Sequence, residues 1–163
     1  MKNKNGFVLL ISVIFMSVML TLGLALSSLG YKQQILASTA IESQYAFYAA
    51  DAGIECALYA DQQQNLFEYD LHSSTNPPQM ITCDEMLATQ LSYSYDNDRL
   101  VVSERISLDS STSRPRCADV TIYKYNSNPS LTYIFSQGYD VSCATVTNPN
   151  GARFVSRGMS SHY

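Results

Sequence analysis

The stretch that most constrains this chain is Phe7 to Leu29 (FVLLISVIFMSVMLTLGLALSSL), a run without a single charged residue. About 23 residues in helical geometry, at 1.5 Å each, are enough to cross some 30 Å of hydrocarbon. The run therefore predicts a membrane-spanning helix, and it removes its own residues from any water-soluble core. A basic stub, Met1 to Gly6 with Lys2 and Lys4, precedes it, and Lys32 is the next basic residue, followed mainly by acids. The positive-inside rule then places the N-terminus in the cytoplasm and the remainder outside. A cleaved secretory signal would have an apolar core of only about 7 to 15 residues, although the small residues of Leu36-Ala37-Ser38-Thr39-Ala40 offer a cleavage site. An uncleaved signal anchor fits composition as well as any other single-pass arrangement.

No proline interrupts Phe7 to Asp61, so one nearly continuous helix of about 80 Å is expected. Gly23 and Gly30 are its weak points, where local unwinding or bending is predicted. Leu36, Ala40, Phe47, Ala50, Ile54 and Leu58 recur at spacings of three and four and define one face. Tyr45, Tyr48, Ala52, Cys56 and Tyr59 form a second stripe, with Gln44, Asp51 and Glu55 between. A helix apolar on two sides needs two partners: a sheet of its own and neighbouring subunits, unless one broad face is buried within a single domain. Ala46, Ala49, Ala50, Ala52 and Gly53 permit close approach. Gly53 costs about 1 kcal/mol of helix propensity relative to alanine, which suggests a packing reason.

At the head of the run, the junction Lys4-Asn5-Gly6-Phe7 resembles the leader of type IV pilin-like proteins. That resemblance implies a prepilin peptidase that cuts after Gly6 and methylates Phe7, leaving the apolar helix as membrane anchor and later as filament core. Most pilins carry a glutamate at the fifth mature position, whereas this chain has Ile11, which is similar to certain minor pilins. Further along, Ala46, Ala49, Ala50, Asp51, Ala52, Gly53, Ile54, Glu55 and Ala57 match the A-x-x-A-A-[DE]-A-G-[ILV]-E-x-A pattern of PilX-like minor pilins. The resemblance covers about the first 60 residues. It implies assembly roles for Phe7, Ile11, Gly23, Ala46, Ala49, Ala50, Asp51, Gly53 and Glu55, with other pilin subunits, prepilin peptidase and the membrane as partners. A secretion pseudopilin and a single-pass anchored binding domain are the alternatives.

Beyond Asp61 the chain turns polar, and Thr75-Asn-Pro-Pro78 reads as a loop. A short helix is predicted over about Asp84 to Gln90. Strand-like runs follow at Leu91–Tyr95, Leu100–Leu108, Ala118–Tyr125, Leu131–Val141 with a bend at Gly138, and Phe154–Ser160. Leu100, Val102, Ile106 and Leu108 share one face, as do Ala118, Val120 and Ile122. The links Asp96-Asn97-Asp98, Ser110 to Arg116, Asn126 to Ser130 and Thr147 to Gly151 carry turn residues. Short strands with short links imply an antiparallel meander, and packing it on the stem's second half gives an α+β, pilin-like domain. The expected organisation is a leader over 1–6, a transmembrane and assembly helix over 7–30, its amphipathic continuation over 31–61, and a disulfide-stapled β domain over 62–163.

Cys56, Cys83, Cys117 and Cys143 all follow the apolar run, on the side predicted to be oxidising. Of three connectivities, Cys56 with Cys83 would tie the loop to the stem, and Cys117 with Cys143 would staple neighbouring strands. Zinc is the rival reading, but there is no C-x-x-C and the histidines lie far off. Catalysis finds little support: His72 and His162 are the two histidines, in a polar loop and at the C-terminus, and no phosphate-binding glycine loop is present. Asp96-Asn97-Asp98 could offer oxygens to calcium, yet lacks the remaining ligands. No catalytic residue, metal or cofactor is expected. The twelve tyrosines read as sheet surface more than as a binding platform. A formal charge of −4 argues against a nucleic-acid partner, Arg153 and Arg157 notwithstanding.

Overall fold

The computed structural model describes residues 5–68, 78–95, 98–109, 112–126 and 131–163. The links centred on 69–77, 96–97, 110–111 and 127–130, with His72, Asp96 and Asn97, lie outside the described residues. Helix α1 runs over Asn5–Gln62, and its contacts divide the chain after Ala40 into two units. The first unit, among described residues, is helix alone. It continues without a break through Gly23 and Gly30, contrary to the unwinding expected there. Both glycines face open space, with nothing within 4 Å of where a Cβ would stand.

The second unit, Ile41 to Tyr163, begins with the rest of α1 and continues with β1 (Thr82–Cys83), β2 (Met86–Leu87), β3 (Gln90–Tyr95), β4 (Arg99–Leu108), β5 (Arg116–Tyr125), β6 (Thr132–Tyr139), α2 (Cys143–Thr147) and β7 (Ser156–His162). The helix ends where Asn65 takes a left-handed conformation, φ 51°, and the Leu66 amide returns to the Ala60 carbonyl at 3.1 Å. Leu66 and Phe67 then turn into the core. The helix expected over Asp84–Gln90 is instead the hairpin β1–β2. Asp84 and Glu85 stand at φ 52° and 60° between paired residues Cys83 and Met86, the two consecutive left-handed positions that a tight two-residue hairpin turn requires.

Strands β3 to β7 form one five-stranded sheet in chain order, every neighbouring pair antiparallel. The fold is α+β, with the second part of the N-terminal helix packed on an antiparallel meander. Alternation explains the core: Leu100, Val102, Ile106 and Leu108 of β4 and Ala118, Val120 and Ile122 of β5 are buried with Ile134 of β6 against Ala49, Ile54, Ala57 and Ala60 of α1. At one end of the opposite sheet face, α2 covers a smaller cluster of Cys117, Tyr139 and Cys143 with Val141, Val146 and Phe154 beside it. Ser142 caps α2, its Oγ accepting from the Thr145 amide. The cysteines form two bonds, Cys56–Cys83 and Cys117–Cys143. The second joins β5 to α2, so it links a strand to a helix and not two strands.

Candidate functional site

From Phe7 to Leu29 every residue of α1 is exposed, with Phe7 at 69 % and Ile11 at 50 %. Large apolar side chains surround the helix on all sides; averaged over its length, α1 has no preferred apolar face. Hydroxyls within this stretch are turned onto its own backbone: Ser12 donates to the Leu9 carbonyl, Ser17 to Ile14, Thr21 to Val18 and Ser28 to Ala25, at 2.8 to 2.9 Å. Polar groups satisfied within the helix are what hydrocarbon demands, because lipid offers no hydrogen-bond partner. By length and composition α1 can cross a membrane once. Gly6 lies in its first turn, one residue before the apolar run, and Gly23 lies within that run.

Within the second unit, the matched small residues have a clear mechanical role. Ala46, Ala49, Ala50, Gly53 and Ala57 are buried at the sheet surface. A Cβ placed on Gly138 of β6 would stand 2.2 Å from both the Ala46 carbonyl oxygen and the Ala50 nitrogen. Backbone therefore meets backbone there. Gly138 is not the site of a bend; it lies within β6 and is glycine because helix and strand approach too closely for any side chain. Gly53 repeats the arrangement from the helix side, where a Cβ would come 2.5 Å from Ser136 Oγ and 3.1 Å from Ala118 Cβ. This supplies the packing reason expected for Gly53. Asp51 is half-buried, Glu55 is exposed, and Cys56 is held by its bond to Cys83.

The two apolar stripes read from the sequence are redistributed. Ala50 and Ile54 face the sheet, but Phe47 does not: it is 45 % exposed. The sheet-facing stripe is centred on alanine and glycine, since only small residues fit the short helix-to-sheet distance. Tyr45, Tyr48 and Tyr59 remain exposed. Tyr45 is held by the Arg116 guanidinium 4.2 Å from its ring centroid, and Arg116 also pairs with Asp109.

Three polar clusters complete the unit. Asp61, 3 % exposed at the C-terminal end of α1, accepts both contacts of Lys124 Nζ at 2.6 and 2.8 Å and the hydroxyl of Tyr163. An acid is electrostatically misplaced at a helix C-terminus, and the ammonium offsets this. Burial, then the bond to Asp61, pushes the Tyr163 hydroxyl pKa up. On the outer sheet face Arg105 holds Asp119 with two bonds of 2.6 and 2.7 Å and Thr147 with a third of 2.8 Å, fastening α2 to the sheet. Its bond to Asp119 raises the Arg105 pKa, and burial followed by Asp119 raises that of Tyr139, whose hydroxyl donates to Asp119. Finally, Glu104 is 3 % exposed on the core face of β4. Its Oε2 accepts from the Ile81 amide at 2.8 Å, while Oε1 has no hydrogen-bond partner among the described residues. Burial pushes its pKa up to about 7, with the Ile81 bond opposing.

These clusters join elements of the second unit. His162 ends β7 stacked on Tyr133 at 5.7 Å, and among the described residues no three of His, Cys, Asp and Glu converge as metal ligands. The candidate site is thus a pair of surfaces, the exposed apolar helix and the outward tyrosines of the second unit. Sequence reasoning missed Glu104, although strict alternation from Val102 to Ile106 places it on the buried face. It also missed the partnership of Asp61 with Lys124, for which no local signal exists. Compared with family models, curated proteins and solved structures, the chain matches none of them.

Proposed function

We propose that this chain is a minor type IV pilin-like subunit of PilX-like type, inserted in the cytoplasmic membrane by α1 and then incorporated in a pilus. Its N-terminus faces the cytoplasm, prepilin peptidase cuts between Gly6 and Phe7, and the β domain lies outside, where it modulates assembly, adhesion or DNA uptake. The observation that carries this reading is the Lys4-Asn5-Gly6-Phe7 junction at the head of an uninterrupted apolar helix. Two features support it. The helix from Phe7 to Leu29 is apolar on every side, which suits lipid first and neighbouring stems afterwards. The matched Ala and Gly residues seat the helix on the sheet and leave Tyr45, Tyr48 and Tyr59 facing outward, available to a neighbour. Ile11, standing where most pilins have glutamate, favours a minor over a repeating subunit.

Mass spectrometry after co-expression with a prepilin peptidase tests the proposal. The expected product begins at Phe7 and carries one N-terminal methyl group; Gly6→Leu leaves the leader attached and keeps the protein out of filaments. A chain that retains Met1 to Gly6 beside an active peptidase, or a Gly6→Leu variant of normal size that still enters filaments, sinks the assignment.

A further inference from the structure

Strand β7 closes the sheet on one side, and its outer edge is unpaired among the described residues. Thr132 and Tyr163 exchange both backbone bonds, at 3.0 and 3.2 Å, and the Asp140 amide donates to the Val155 carbonyl. In an antiparallel pair, bonded and non-bonded positions alternate. The groups of Val155, Arg157, Met159 and Ser161 therefore face β6, and those of Ser156, Gly158, Ser160 and His162 point away from the sheet. Natural edges are commonly blunted by proline, lysine or a bulge. β7 has neither proline nor lysine, and small residues occupy three of its four outward positions.

A shallow cleft adjoins this edge on each side. On the outer sheet face, Thr121, Phe135, Gln137, Gly158 and Ser160 line a depression of about 430 Å³ that also touches Asp119. It is open because Gly158 has no side chain: a Cβ there would meet only the Ser136 carbonyl oxygen, at 4.0 Å, and Phe135 beside it is 47 % exposed. On the helix side, Ser43, Gln44, Phe47, Tyr48 and Arg157 line a second one of about 230 Å³. Arg157 Nε donates to Ser43 Oγ at 2.6 Å.

We propose that the open edge of β7 takes an extended segment of a partner polypeptide as a sixth strand. An apolar side chain of that segment sits opposite Gly158 against Phe135, and an acidic neighbour reaches Arg157 on the other face. The backbone groups select the class of ligand, since alternating N–H and C=O groups at strand spacing are matched by another strand. The clefts select its sequence, because consecutive side chains of an added strand enter opposite faces. Phe135 lines the outer cleft and Arg157 the helix-side one, which places the acid on the helix side. A second copy of this chain is the wrong occupant: among the described residues the edge strands of its five-stranded sheet are β3, Gln-Leu-Ser-Tyr-Ser-Tyr, and β7, and neither contains an acidic residue. The inference stands on the second unit alone and holds whether or not the chain enters a fibre.

The test uses the full chain in detergent micelles, labelled with nitrogen-15, and a synthetic peptide of alternating threonine and valine with one central Glu-Phe pair. Hydrogen exchange at the Gly158 and Ser160 amides should slow by about tenfold or more on adding peptide, while Met159, already bonded to β6, stays unchanged. Exchanging the peptide's glutamate for lysine should weaken binding about tenfold, as should Ser160→Pro, which removes one outward donor. A version of the peptide methylated on alternate backbone nitrogens tests the same bonds without altering the protein, and should not bind. Unaltered exchange at millimolar peptide overturns the proposal. So does equal binding of the methylated peptide, which would mean side-chain docking, and so does protection that rises with protein concentration alone, which would mean pairing between copies.

Discussion

The two parts of α1 are both rich in apolar residues, yet they solve opposite problems. From Phe7 to Leu29 the side chains are mostly large and all exposed; from Ala46 to Ala60 the inward ones are mostly Ala and Gly and buried. Large side chains on every side of a helix leave the choice of neighbour open and demand cover from outside the chain. Small ones on a single side let the helix sink onto a sheet until backbones touch, which is specific to one partner and one register. Side-chain size, more than hydrophobicity, thus separates the exposed part of the helix from the part packed on the sheet.

The largest effect expected from breaking this contrast is at Gly138. A single methyl group there collides with the helix backbone at Ala46 and Ala50, with no flexible side chain to give way. Gly138→Ala should cost about 4 kcal/mol or more, read as the loss of near-ultraviolet circular dichroism from the β domain. An unchanged melting temperature would show that the two backbones are not in contact. A charge in the other part should act separately. Leu20→Lys ought to reduce membrane insertion by about 3 kcal/mol, measured by carbonate extraction, while the near-ultraviolet signal persists. Loss of that signal as well would erase the distinction between the two parts.

A smaller effect sharpens the account of what surrounds the helix seat. Glu104 has its pKa raised from 4.5 to about 7 by burial, so the folded state binds this proton more tightly than the unfolded state does. Its stabilising contribution is full below about pH 4.5 and is lost as pH rises to about 7, a change on the order of 3 kcal/mol. Thermal melts across that range should fall with pH in the parent and flatten in Glu104→Gln. A parent that grows more stable over the same window would refute the assignment.

Much of this architecture was legible from residues a few positions apart. Alternation in Leu100 to Leu108 and Ala118 to Ile122 identified the buried faces, and the helix cost of Gly53 pointed to a close contact. What escaped depended on residues distant in sequence. Gly138 read as a bend because nothing nearby tells a strand that a helix lies on it. The pairing of Asp61 with Lys124 spans 63 positions, and the turn at Asp84 and Glu85 looked helical because acidic residues at a helix start look the same. The exposed apolar helix was legible as length and composition, and Tyr45, Tyr48 and Tyr59 were legible as a second stripe that the structure leaves exposed.

The Cys117–Cys143 bond has a mechanical consequence. It encloses nearly all of β5 and all of β6, the strands carrying Ala118, Ser136 and Gly138 on which α1 is seated. When the chain is pulled from its two ends, tension passes through the sulfur atoms and bypasses the residues between them. With a sequence separation of 26, this shortcut withholds roughly 90 Å of extensible chain. The surface that grips the helix therefore cannot be drawn out thread-wise, and force applied along the stem acts by shearing the helix from its seat while those two strands stay unloaded.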